Sequence, residues 1–263
     1  MTMAWKPTGS IDPCALVDAR VQLHWAAQAV AGVGRTLHVR RADDSHTSFT
    51  WSATLDALVQ EPFEGVTSGL RLRDLTLLAI GSTASKLSLT GRTLDDAFAF
   101  FEAQFGMTLQ RPNVDLPDHP VSHGATFDAD ERHLAELARY YNNAARVLSD
   151  VVRTDSQAGP VRCWPHHFDL ATLITLSGHG EEARTIGVGL SPGDAGSNEP
   201  YYYVTPWPHP DASRLGSLSL GRWNTVGWTG AVLSASSFAN VERQEELVRS
   251  FILDAVARCR ELV

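Results

Sequence analysis

The sequence predicts an α+β fold, with one or two antiparallel sheets covered by about four helices. Three observations lead there. Apolar residues recur at helical spacing over about 13–31, 94–105, 129–153 and 241–262. Runs rich in β-branched and aromatic residues, broken by Gly, Pro, Asp and Ser, fall around 36–41, 47–52, 74–80 and 85–89, and again through 161–233. These runs come in groups between helices instead of alternating with them, which favours segregated strands over a parallel α/β sheet.

The first helix opens at Asp12-Pro13, an N-cap followed by a proline suited to the first helical position. Leu16, Ala19, Leu23, Ala26, Ala27 and Val30 supply its apolar stripe, and Gly32 with Gly34 is read as its end. After the four strand-like runs, Thr93-Leu94-Asp95-Asp96 resembles a capping box, and Leu94, Ala97, Phe98, Phe101 and Phe105 form one apolar face of about three turns. Residues 107–127 carry Pro112, Pro117 and Pro120 and read as a long connection. The 263 residues are therefore either one domain or two subdomains, 1–106 and 128–263, joined by 107–127. From Asp128 to Arg153, Leu134, Leu137, Tyr141, Ala145, Leu148 and Val152 return every three or four positions behind an acidic first turn, the clearest helix in the chain. The last helix begins near Val241 and is apolar at Leu247, Phe251, Ala255 and Cys259.

Composition removes several classes of function. Thirty acidic residues against 22 basic ones give a formal charge of −8, with the basic residues dispersed, so a nucleic-acid backbone is a poor partner. No apolar run approaches the ~20 residues needed to span a bilayer, and no basic-then-apolar leader opens the chain, so neither membrane insertion nor secretion is expected. Cys14, Cys163 and Cys259 are odd in number and far apart, giving neither a disulfide framework nor a thiolate zinc site; a cytoplasmic location is expected.

Chemistry-bearing residues concentrate in RCWPHHFDLATL, 162–173, and in GVGLSPGDAGSNEPYYYVTPWPHP, 187–210. Read as a strand, the first would put His167 and Asp169 on one face and His166 on the other. A histidine and a carboxylate so placed suit metal ligation, or a base with its orienting partner. In the second, Gly187, Gly189 and Gly193 lack both the lysine of a P-loop and the Rossmann spacing, so no nucleotide motif is present and a tight turn with Asp194 at its tip is expected. Within Tyr201-Tyr202-Tyr203, strand alternation sends Tyr202 to one face, as a core residue, and the other two to the opposite one. Trp207, Trp223 and Trp228, with Asn224, add aromatic wall and a hydrogen-bonding amide. On the first helix, His24 and Gln28 lie four apart and neighbour each other beside the apolar stripe.

WPHHFDLA, then GLSPGD and EPYYYVTPWP, then WNT and GAVL, look like the ordered motifs of a family of uncharacterised bacterial proteins, and LHWAAQAVAGVGR resembles that family's opening helix. The likeness covers most of the chain. It implies a cytoplasmic protein of this size but no activity, cofactor or catalytic residue, and it places His167 and Asp169 ahead of the more variable His166.

The site expected from these readings has His167, Asp169 and Glu199 as catalytic or ligating groups, and Asp194, Tyr201, Tyr203, Trp223 and Asn224 as substrate-binding groups, all on one concave surface. Three functions are open: a small-molecule enzyme, assisted by a divalent metal in one version; a module that binds a small ligand without turning it over; and an interaction protein lacking a deep pocket.

Overall fold

A computed structural model describes residues 3–113 and 115–263 of the chain. In chain order its helices are α1 (Val17–Leu37), α2 (Leu94–Phe105), α3 (Glu131–Thr154) and α4 (Gln244–Leu262). Its strands are β1 (Thr50–Ser52), β2 (Ala57–Val59), β3 (Thr67–Arg71), β4 (Thr76–Ile80), β5 (Ala84–Ser88), β6 (Arg162–Trp164), β7 (Asp169–Ser177), β8 (Arg184–Ser191), β9 (Tyr201–Trp207), β10 (Arg222–Asn224) and β11 (Gly230–Ser234). Over the described residues the fold is α+β with two antiparallel sheets and four α-helices, as the grouping of the strand runs predicts. Two compact units make up the chain. The α1 unit holds Ala15–Ala138 and Arg162–Phe168, and the α4 unit holds the residues up to Cys14, Arg139–Val161 and Asp169–Val263. The proline-rich segment 107–127, position 114 apart, lies within the α1 unit.

In the α1 unit the sheet is a meander, β1-β2-β3-β4-β5, in which every strand pairs antiparallel with the next. Leu70, Leu77 and Leu78 of this sheet are buried, as are Leu23, Ala26 and Val30 of α1 and Phe98 and Phe101 of α2. Helix α1 does not stop at Gly32 and Gly34 but continues to Leu37, so the strand expected at 36–41 is absent. Close packing is the reason for the glycines. A Cβ at Gly34 would sit 2.3 Å from the carbonyl oxygen of His46, and one at Gly32 would meet the Phe98 ring at 3.0 Å. The fully buried Gln22 then fastens the entry to α3: its Oε1 accepts from the backbone N–H groups of Asp128 (2.9 Å) and Ala129 (3.1 Å), and its Nε2 donates to Asp18 and Asp128.

Helix α2 starts as its capping box predicts. Thr93 Oγ1 accepts from the Asp96 N–H at 3.2 Å, and the Asp96 carboxylate accepts in return from the Thr93 N–H at 2.8 Å. Thr93→Ala is expected to cost about 1 kcal/mol, read as a lower midpoint with unchanged slope in urea unfolding; an unshifted midpoint would mean the box adds nothing.

In the α4 unit the strands run β10-β11-β9-β8-β7, again all antiparallel. One face carries Leu170, Ile174, Ile186, Val188, Leu190, Tyr202, Val204 and Leu233, all buried, and α4 packs on these strands with Val248, Phe251, Ile252, Ala255 and Cys259 inward. Burial pushes the Cys259 thiol up to about 12, so it is a packed hydrophobe and not a nucleophile. The N-terminal segment is tied to the start of α4 by the buried Gln244, which accepts from the Thr8 N–H at 3.0 Å and donates to the Thr8 carbonyl at 2.8 Å. The opposite sheet face carries Asp169, Ala171 and Leu173 of β7, Gly187, Gly189 and Ser191 of β8, and Tyr201, Tyr203, Thr205 and Trp207 of β9. Leu173 is 50% exposed and Trp207 48%, so no apolar layer of the kind that packs on the α4 side covers this end of the face.

Candidate functional site

The 162–173 segment is not a continuous strand. Strand β6 ends at Trp164, and Pro165–Phe168 form a turn in which the N–H of Phe168 donates to the Trp164 carbonyl at 2.6 Å and Phe168 takes φ +59°. Period-two alternation therefore does not run from His167 to Asp169. His166 and His167 are both exposed and their rings lie 4.4 Å apart, so the two imidazoles share a side where a strand would have separated them.

Helix α1 holds this turn from below. His24 Nε2 lies 2.8 Å from the Pro165 carbonyl oxygen, the Gln28 amide donates to the same oxygen at 2.6 Å, and the His24 ring stacks on Phe168 at 5.3 Å and 10°. The four-residue spacing of His24 and Gln28 thus makes a clamp. Burial lowers the His24 pKa to about 4, with His167, Arg20 and His166 adding to the effect against a smaller opposing pull from the Pro165 carbonyl.

Four of the expected site residues come together on the sheet face of the α4 unit that points away from α4. Strand register pairs Gly189 with Ala171 on one side and with Tyr203 on the other, and pairs Ser191 with Tyr201. The Tyr203 ring lies across Gly189, where a Cβ would fall 2.6 Å from both Cζ and the hydroxyl oxygen. Only glycine leaves that strip of sheet clear for the ring, which carries the Tyr203 hydroxyl across to donate to Asp169 Oδ2. In the neighbouring row the Tyr201 hydroxyl donates to Asp194 Oδ2 at 2.5 Å. Burial, with Asp194 beside it, holds the Tyr201 phenol well above its usual pKa, so it acts as a fixed donor. Asp194 is in turn set by a local turn: its Oδ1 accepts from the N–H groups of Gly196 (2.7 Å) and Ser197 (3.0 Å). The expected turn with Asp194 at its tip is there, with Gly193 at φ +104°, but Gly187 and Gly189 belong to β8.

Trp228 completes this group. Its ring meets Tyr203 at 6.2 Å and 74°, and Tyr203 meets Tyr201 at 6.3 Å and 59°. Tyr203 and Trp228 are half-buried, while Tyr201 is only 6% exposed and forms the inner wall. Tyr202 points the other way, fully buried beside Phe238, as alternation along a strand requires.

The remaining expected residues are engaged elsewhere. The Glu199 carboxylate accepts from the Ser236 N–H at 2.6 Å and from its hydroxyl at 3.0 Å, fixing the turn after β11. Trp223 donates through Nε1 to the Gly216 carbonyl at 2.7 Å, and the Asn224 amide donates to the carbonyls of Val226 and Trp228 at 3.1 and 2.7 Å. Asn224 thus shapes the loop that delivers Trp228. The contribution of Gly189 was missed because a lone glycine in a strand has no sequence mark beyond the aromatic opposite it.

A second surface feature, a cavity of about 180 Å³, lies between α3 and α4 with Val147, Val151, Ile252 and Leu253 as walls. Its rim charges are already paired, Arg249 and Arg153 with Asp150. Among the described residues no group of three His, Cys, Asp or Glu side chains is placed to hold a metal ion, and no helix is long and apolar enough to cross a membrane. No family model matches the chain, and neither does any curated protein or solved structure.

Proposed function

We propose that this chain is a small-ligand-binding module whose site is the half-buried sheet face around Tyr203 and Asp169. One observation carries the reading: β8 carries glycine at 189, and the clearance lets a half-buried tyrosine lie across the strand with its hydroxyl on a carboxylate. Apolar walls with few oriented polar groups are the usual make-up of a ligand site. Trp228 supplies a wall beside Tyr203.

Tyrosines labelled with 13C at Cε give signals from five residues, and Tyr203→Phe assigns one of them. Titrating the labelled protein with sugars, amines, carboxylic acids and flat heterocycles is expected to shift the Tyr203 signal with at least one class. If the Tyr203 signal stays fixed with every class, the binding reading fails. A catalytic version of this site uses Asp169 as base and Tyr203 as proton donor, and turnover of the ligand that shifts Tyr203 would replace a binding module with an enzyme. Cytoplasmic residence and kinship with the uncharacterised bacterial family belong to the same proposal, supported by the buried Cys163 and Cys259, which are in no disulfide, and by the ordered motifs of the sequence.

A further inference from the structure

We infer that the cavity between α3 and α4 is a second binding site, for a small aromatic carboxylate: one ring of benzoate size with one acid group. It is independent of the Tyr203 face, because α4 packs on the other side of the sheet. Val147 and Val151 lie four apart on α3, and Ile252 and Leu253 follow Arg249 by three and four residues on α4, so each helix turns one face to the cavity. An aliphatic cavity of about 150 Å³ takes benzene. This one measures about 180 Å³, and its wall residue Leu253 is 70% exposed, so a bound ring would take that side chain out of water.

The rim sets the sign of the ligand. A ladder of ion pairs joins the helices, from Arg146 to Glu245 at 2.8 Å, Glu245 to Arg249 at 2.8 Å, Arg249 to Asp150, and Asp150 to Arg153 at 3.0 Å. Three guanidiniums alternate with two carboxylates, so one positive charge is left over, and the ladder ends on Arg153 in the cavity wall. A guanidinium has five N–H donors. Arg153 spends one on Asp150 and its side chain is 71% exposed, which leaves donors in the fork geometry that suits a carboxylate. Asp150 would repel such a guest, but it is held between two arginines. The carbonyl end of α3 also opposes an anion. There the Thr154 hydroxyl donates to the Asp150 carbonyl at 2.8 Å, the Asp155 N–H donates to the Val151 carbonyl at 2.9 Å, and the Asp155 carboxylate is paired with Arg260.

Isoleucines labelled with 13C at the δ1 methyl give signals from Ile11, Ile80, Ile174, Ile186 and Ile252, and Ile252→Val assigns the one in the cavity wall. Benzoate and its uncharged isostere benzamide separate charge from shape, and acetate separates the acid from the ring. Benzoate is expected to move the Ile252 signal with about fivefold higher affinity than benzamide, the upper end for an ion pair at an exposed edge, and sodium chloride at about 1 M should close most of that gap. Acetate should leave the signal in place. Arg153→Gln, at an exposed position, should bring benzoate down to the benzamide level and leave benzamide unchanged; circular dichroism checks that the variant is folded. Equal affinities for benzoate and benzamide, or a benzoate affinity indifferent to Arg153→Gln, would overturn the acid assignment. Acetate binding as well as benzoate would overturn the ring, and an Ile252 signal fixed in benzoate removes the site. The Tyr203 reading is tested on its own signal and stands or falls separately.

Discussion

Gly189→Ala is expected to lower stability by about 2–3 kcal/mol and to abolish any ligand response of Tyr203. The new methyl group would stand 2.6 Å from Tyr203 Cζ, closer than carbon atoms approach, so the ring must shift from its place over the strand. Overpacking of this kind costs ~1–3 kcal/mol, and losing a hydrogen bond to a carboxylate adds to it. A cycle with Tyr203→Ala isolates the cause. With the ring gone the methyl group meets nothing at that contact, and Gly→Ala in a strand becomes neutral or slightly stabilising because the unfolded chain loses freedom. Urea unfolding of the four proteins should therefore give a coupling of about 2 kcal/mol or more. Additive effects would mean that Gly189 is needed for its backbone and that the placement of Tyr203 is incidental.

Helices were legible because their periodicity and caps are local. The Thr93 capping box and the proline after Asp12 mark starts that the chain obeys within a few residues, although a short 3₁₀ turn, Pro13–Leu16, precedes α1 proper. What escaped was tertiary. Gly32 and Gly34 read as a stop because local propensity disfavours glycine in a helix, yet α1 runs through both to let Phe98 and the His46 carbonyl approach. Strands β2 and β3 were missed for a related reason: Ala57–Val59 is three residues long, and Thr67–Arg71 contains Ser68 and Gly69, so neither shows a period-two apolar pattern. Their place is set by the neighbours they pair with.

The candidate site was legible in composition and not in geometry. Tyr201, Tyr203, Asp169 and Asp194 do share a surface, since alternation on β9 is a covalent property of a strand. The expected His167–Asp169 relation failed because Pro165 begins a turn, and a turn resets the alternation on which that relation depended. Glu199 and Asn224 looked like ligand groups because their side chains are versatile; backbone N–H and C=O groups in nearby turns claimed them first. His24 is the converse case. Four residues from Gln28 on α1, it carries no motif, and its role depends on a carbonyl 141 positions away.

That buried imidazole sets the steepest expected pH response. His24 is 6% exposed, stacked on Phe168, and faces His166, His167 and Arg20, none of which favours a second positive charge beside it. Burial first, then these neighbours, lower its pKa from 6.5 to about 4. Between those values the unfolded chain holds a proton there that the folded chain does not, so the unfolded state binds more protons and stability rises with pH. The contribution is fully present above pH 6.5, declines as pH falls towards 4, and at 1.36 kcal/mol per unit amounts to about 3 kcal/mol. The His166 pKa is also lowered, by partial desolvation and then by His167, but His166 is exposed, so it adds little in the same direction. His24→Leu removes the titration and leaves Gln28 to hold the Pro165 carbonyl, so the turn keeps one of its two contacts. Urea midpoints taken from pH 7 to pH 4 should fall less steeply for the variant than for the parent, and subtracting the two curves cancels the carboxylates common to both. Parallel curves would mean that His24 accepts its proton in place and that the Pro165 turn does not depend on a neutral ring.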